Sequence, residues 1–89
     1  MEKVQIKTGE TKTGDIDIPD WSKELIIHPF PSRIKGLRYI LKVRGGGKED
    51  KRPIINTNAI RPIPVSGKEF ICFEYVSTDM DYDVLYTFN

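Results

Sequence analysis

The stretch Tyr82-Asp83-Val84-Leu85-Tyr86-Thr87-Phe88 decides the fold class, because its polarity alternates residue by residue. Tyr82, Val84, Tyr86 and Phe88 fall on one parity, and Asp83, Leu85 and Thr87 on the other, as a strand with one core-facing side requires. Its aromatic and β-branched residues favour a pleated, half-buried surface. Upstream, the run 69–76 is apolar on both parities, with Phe70, Cys72 and Val76 against Ile71, Phe73 and Tyr75. Such a run reads as a central strand covered on both faces. The polar segment 77–81 between them has hairpin length, so the two strands are expected to pair with each other.

Further upstream, Leu37, Tyr39, Leu41 and Val43 alternate with Arg38, Ile40, Lys42 and Arg44, which predicts a strand with a core parity and a basic parity. Val4 and Ile6 alternate with Lys3, Gln5 and Lys7, and the segment 8–14 is expected to turn this first strand back onto Ile16 and Ile18. Pro62 and Pro64 remove alternate donors from the run 60–65, leaving an edge strand or an extended connector. Only 20–28 keeps a helix open. Asp20 follows Pro19 as an N-cap candidate, and Trp21 and Leu25 would share a helical face. The β-branched Ile26 and Ile27, followed by Pro29 and Pro31, make 24–28 equally readable as a strand. The expected fold is all-β, or mostly β with one short helix: a single domain over 1–89 forming a small barrel or sandwich of about six antiparallel strands.

With 89 residues, 38% of them hydrophobic, the chain suits one folded domain with a modest core. A symmetric homodimer would be an ordinary source of extra stability. The single cysteine, Cys72, excludes an internal disulfide, and no apolar run approaches membrane-spanning length. These features point to a cytoplasmic protein without a membrane partner.

Charge is distributed unevenly. Segment 33–52 carries eight basic and two acidic residues, a net +6, whereas the whole chain is +1. Part of it belongs to the basic strand parity, and 45–52 reads as a flexible glycine-rich basic loop around Gly45-Gly46-Gly47. This loop fails the phosphate-loop patterns: Lys42 stands where a Walker A loop needs its first glycine, Glu49 where Ser or Thr should follow the lysine, and Asp50 where a dinucleotide fingerprint needs glycine. Consecutive glycines could still converge backbone N–H groups on an anion.

Catalytic material is scarce. Cys72 lies in the most apolar run, where a thiol is ordinarily packing, and the one histidine, His28, sits in a proline-restricted corner that suits a structural role. Zinc needs three or four N or S ligands, and the chain has two such residues. Asp79, Asp81 and Asp83 imitate the start of a calcium loop, but Val84 replaces the glycine of the turn and no glutamate closes it. No enzyme activity, metal or cofactor is therefore expected.

By elimination, the reading is a small non-catalytic binding protein, of the accessory, inhibitory or regulatory kind that phages and mobile elements also encode. It would dock on another protein or on a phosphate-bearing anionic ligand. The candidate binding residues are Arg38, Lys42, Arg44, Gly46, Gly47, Lys48, Lys51 and Arg52, with Trp21, Phe30 and Tyr82 as aromatic anchors. The alternative is a nucleic-acid-binding small β-barrel using strand 37–44 and loop 45–52. A further reading lets the basic middle segment and the acidic C-terminal segment satisfy each other, within one subunit or across a symmetric dimer.

Overall fold

The computed structural model of the chain describes residues 1–43, 45–54 and 62–89. Its order is β1 (Glu2–Ile6), β2 (Ile16–Asp17), β3 (Glu24–Ile27), β4 (Ile34–Lys35), β5 (Arg38–Lys42), β6 (Asp50–Pro53), β7 (Ile63–Pro64), β8 (Phe70–Glu74), β9 (Ser77–Thr78) and β10 (Tyr82–Phe88). The described residues are all-β and contain no helix. Glu24–Ile27 resolves the helix-or-strand ambiguity as a strand, with Leu25 and Ile27 buried in the β alternation. The ten strands form three antiparallel sheets, β1-β10-β3-β7, β2-β8-β5-β6 and β4-β9, none of them closed into a barrel. The expectation of about six strands missed β4 and β9, two residues each and too short to leave a periodic signal, and β6, whose residues read as part of a loop.

Two expected pairings are replaced. β10 does not form a hairpin with β8; it pairs with β1 and β3 in the other large sheet. Both backbone edges of β8 are already taken, by β5 on one side and β2 on the other, which leaves none for β10. Ser77 and Thr78 of the expected hairpin loop instead pair with Lys35 and Ile34. That pairing carries the chain from one sheet to the next. The first strand likewise pairs with β10 rather than with 16–18. Its far end is pinned where the Tyr75 hydroxyl donates to the Lys7 carbonyl and accepts from the Lys7 N–H.

Both four-stranded sheets contribute to one core. Ile6, Leu25, Ile27, Ile63, Val84 and Tyr86 come from one sheet, and Leu41, Ile71 and Phe73 from the other. The alternation of β10 holds, since Val84 and Tyr86 are buried while Asp83 and Leu85 are exposed. Tyr86 and Phe88 meet edge to face at 5.6 Å. Among the described residues of the 60–65 run, Ile63 and Pro64 form the edge strand β7; residues 60 and 61 lie outside the described residues.

Candidate functional site

β5 and β6 form an antiparallel ladder from Arg38↔Pro53 to Leu41↔Asp50. The extended pairing begins at Asp50, so the last three residues of the expected 45–52 loop belong to a strand. Ile54 N–H donates to the Leu37 carbonyl at 2.9 Å, which makes 37/54, 39/52 and 41/50 the hydrogen-bonded pairs. Lys51 and Pro53 therefore turn their backbone groups away from β5. Proline at an outward position loses no ladder bond and leaves this terminal strand one donor poorer.

The outward parity of β5 behaves differently from its reading as a basic face. Ile40 and Cys72 are cross-strand neighbours there, with Lys51 beside Ile40, and both are almost wholly buried at 1% and 0% exposure. They lie outside the main core cluster. A row containing Lys12, Glu74 and Arg38 runs along one side of them, and Phe70 and Lys42 along the other. The Lys42 ammonium donates to Asp15 at 3.0 Å, and Lys51 pairs with Glu74 at 3.0 Å. The ammonium of Lys42 is pushed above its ordinary pKa, chiefly by the Asp15 hydrogen bond, and the Glu74 carboxyl is pulled down, chiefly by Lys51. Burial raises the Cys72 thiol, which disfavours the reactive thiolate. This part of the basic face is a charged roof over an apolar pair.

The Arg38 end differs. A cleft of about 570 Å³ lies against it, lined by Phe30, Ser32, Ile34, Gly36, Leu37, Arg38, Lys51, Arg52, Pro53 and Ile54. Phe30, Ile34 and Leu37 are buried and form an apolar floor, while among the described residues Arg38, Lys51 and Arg52 supply the charges of the lining. The segment carrying Phe30 and Ile34 is held by the β4–β9 pairing and by Val76 N–H donating to the Lys35 carbonyl at 2.8 Å. Gly36 makes this crossing with φ of +67°, and a Cβ there would come within 2.7 Å of Val76 Cγ2. Only glycine satisfies both demands without a shift.

Of the residues expected to bind, Arg38, Lys51 and Arg52 are brought together and the others are not. Lys42 is engaged with Asp15. Gly46, Gly47 and Lys48 belong to the connection at the opposite end of the ladder, roughly 13 Å along the strand from Arg38. Gly45, Gly46 and Gly47 all take positive φ, unlike the alternating hand that converges N–H groups into an anion nest. Arg44 lies outside the described residues. Among the aromatic anchors, Phe30 is buried in the cleft floor, Trp21 is 67% exposed in the turn closed by Ser22 N–H and the Pro19 carbonyl, and Tyr82 is half-buried opposite Ile6. Residues that sequence reasoning missed are Ile34, Leu37, Pro53 and Ile54 as cleft walls; the apolar Ile34 and Leu37 flanking a glycine were the available signal.

The other candidate chemistries find little support in the geometry. His28 Nε2 lies 3.5 Å from Thr87 Oγ1. Asp81 accepts hydrogen bonds from the backbone N–H and the hydroxyl of Thr8 at 2.8 and 3.0 Å, which lower its carboxyl pKa. It joins a loop to the start of β10. Among the described residues no group of three or more His, Cys, Asp or Glu could hold a metal ion, and no helix is long and apolar enough to cross a membrane. No protein-family model, curated protein or solved structure matches the chain.

Proposed function

We propose that the chain is a small non-catalytic binding protein, an accessory, inhibitory or regulatory module, that docks on another protein or a phosphate-bearing ligand through the Arg38 cleft. One observation carries this reading: among the described residues every charged member of the lining is cationic, and the floor beneath is apolar. A concave apolar surface with a few convergent polar groups is the usual form of a binding site. Like-signed charge at a cleft raises the local concentration of oppositely charged partners.

The nucleic-acid alternative is less well supported. A single strand needs a track of available cations with aromatic platforms between them. Lys42 and Lys51 are engaged with Asp15 and Glu74, Tyr39 packs against the core, and Phe30 is buried.

The test is an amide NMR titration of the full chain at low salt with pyrophosphate, ATP and poly-glutamate. Shifts at Leu37, Arg38, Lys51 and Ile54 that vanish in Arg38→Glu/Lys51→Glu are the expected result. If none of the three probes moves those amides, the cleft is not an anion-docking site.

A further inference from the structure

We infer that the cleft receives an extended segment of a partner protein in which one carboxylate stands beside a bulky apolar side chain, with Arg38 as the carboxylate's anchor. This rests on the binding reading above and selects the protein partner over the phosphate-bearing ligand.

Three observations lead there. First, the rim is already partly compensated. Lys51 is 3.0 Å from Glu74, and Arg52 Nε donates to Asp50 at 3.2 Å. Glu74 stands opposite Arg38 in the strand register, yet gives its Oε1 to Lys51. Among the described residues no carboxylate lies within ion-pair distance of Arg38. Arg38 attracts Glu74 only at longer range, which leaves its planar fork to match a single carboxylate. A polyphosphate would have to take Lys51 and Arg52 from acids that already hold them.

Second, the mouth is wide. Ser32, Gly36, Arg38, Lys51, Arg52 and Pro53 are all exposed, so most of the lining sits at the rim. Small molecules bind well when most of their surface is enclosed, and the described residues of this rim do not enclose one. A protein partner supplies its own surrounding contacts, which exclude water around the anchor.

Third, the apolar surface continues past the cleft. Val76 packs beside Gly36 and is 66% exposed. A side chain seated over Phe30 and Leu37 would have Val76 as a further apolar contact for its neighbours. The apolar group would then lie over this floor while the carboxylate reaches Arg38 at the rim, so the two are near neighbours in one extended chain.

The experiment selects a random linear peptide library on the full chain and titrates the enriched peptides by amide NMR, beside ATP and pyrophosphate. The expected result is enrichment of Asp or Glu adjacent to Phe, Trp or Leu, with shifts at Leu37, Arg38 and Ile54. Arg38→Glu should weaken binding at least about tenfold, and Arg38→Gln, which avoids a new acid opposite Glu74, should also weaken it. Enrichment without an acidic residue, or shifts centred elsewhere, overturns the inference. Tighter binding of ATP or pyrophosphate than of any peptide at the same amides also overturns it, while leaving the binding reading intact. If neither peptides nor phosphates move those amides, both fall together.

Discussion

The two ends of β5 carry the same kind of charge and put it to different use. At Lys42 the cation is committed: its ammonium meets Asp15, and its side chain is only 20% exposed beside a buried Ile40–Cys72 pair. At Arg38, on the same strand and the same parity, the guanidinium has no described acid in ion-pair range and stands at the mouth of a cleft. The difference comes from neighbouring strands, not from β5. Residues 11–17 run beside β8 and bring Asp15 to Lys42, whereas Glu74, the cross-strand neighbour of Arg38, is paired with Lys51, and the turn before β5 brings apolar side chains to the Arg38 end. A basic residue on a strand is therefore an interface candidate only once the acids that the topology brings beside it are known.

The largest expected effect breaks the roof. Ile40→Ala should lower stability by about 2–4 kcal/mol in urea denaturation, as for a buried aliphatic side chain, although strand parity alone would place Ile40 in solvent. A cost near zero would mean that the outward apolar pair is not a packed unit. Next comes the cleft wall. Gly36→Ala should cost about 1–2 kcal/mol, because alanine is strained at φ of +67° and its Cβ presses on Val76. Thermal unfolding of this variant would show whether the crossing is as constrained as its geometry implies.

Smaller effects sharpen the electrostatic contrast. Lys42→Met keeps an apolar stem and removes the charge, and should cost no more than about 1 kcal/mol at neutral pH. Because the folded-state pKa of Lys42 is raised, its contribution is complete below the ordinary value of 10.5 and is lost as pH rises through the folded value. The stability gap between wild type and Lys42→Met should therefore close only in strong alkali. Glu74 behaves in the opposite sense: its folded pKa is lowered, so its contribution is present above 4.5 and is lost as pH falls through the folded value. A gap between wild type and Glu74→Gln that persists in strong acid would remove the Lys51 pairing as its origin.

The smallest expected effect is on the stability of Arg38→Ala, which should stay within about 0.5 kcal/mol of wild type. Binding at the cleft should be the property that changes. If Arg38→Ala destabilises the fold more than Lys42→Met does, the two ends of β5 are not functionally distinct.

The legible parts of the fold were those with long periodic patterns. β10 shows its buried and exposed parities in the sequence and β8 its burial on both faces, because such patterns are local to five or more residues; β5 shows its core parity at Leu41, whereas Ile40, read onto the basic parity, is buried. Partner choice was not legible. The nearness of residues 70–76 to 82–88 along the chain suggested a hairpin, but sheet pairing is settled by which edges and faces need covering at long range. For the candidate site, the sequence supplied Arg38, Lys51, Arg52 and Phe30 without indicating that they adjoin. It grouped Lys42, Gly46, Gly47 and Lys48 with them because all lie in one basic stretch, and a ladder of antiparallel pairs then separated the two ends.

By itself, then, the sequence determined a mostly β chain, the long strands with a core parity, and the concentration of positive charge in 33–52. Tertiary structure alone decided which of those charges are spent on Asp15 and Glu74 and which remain at a cleft. The reason is that burial parity is set by near neighbours in the chain, while the availability of a charge is set by whatever distant strand arrives beside it.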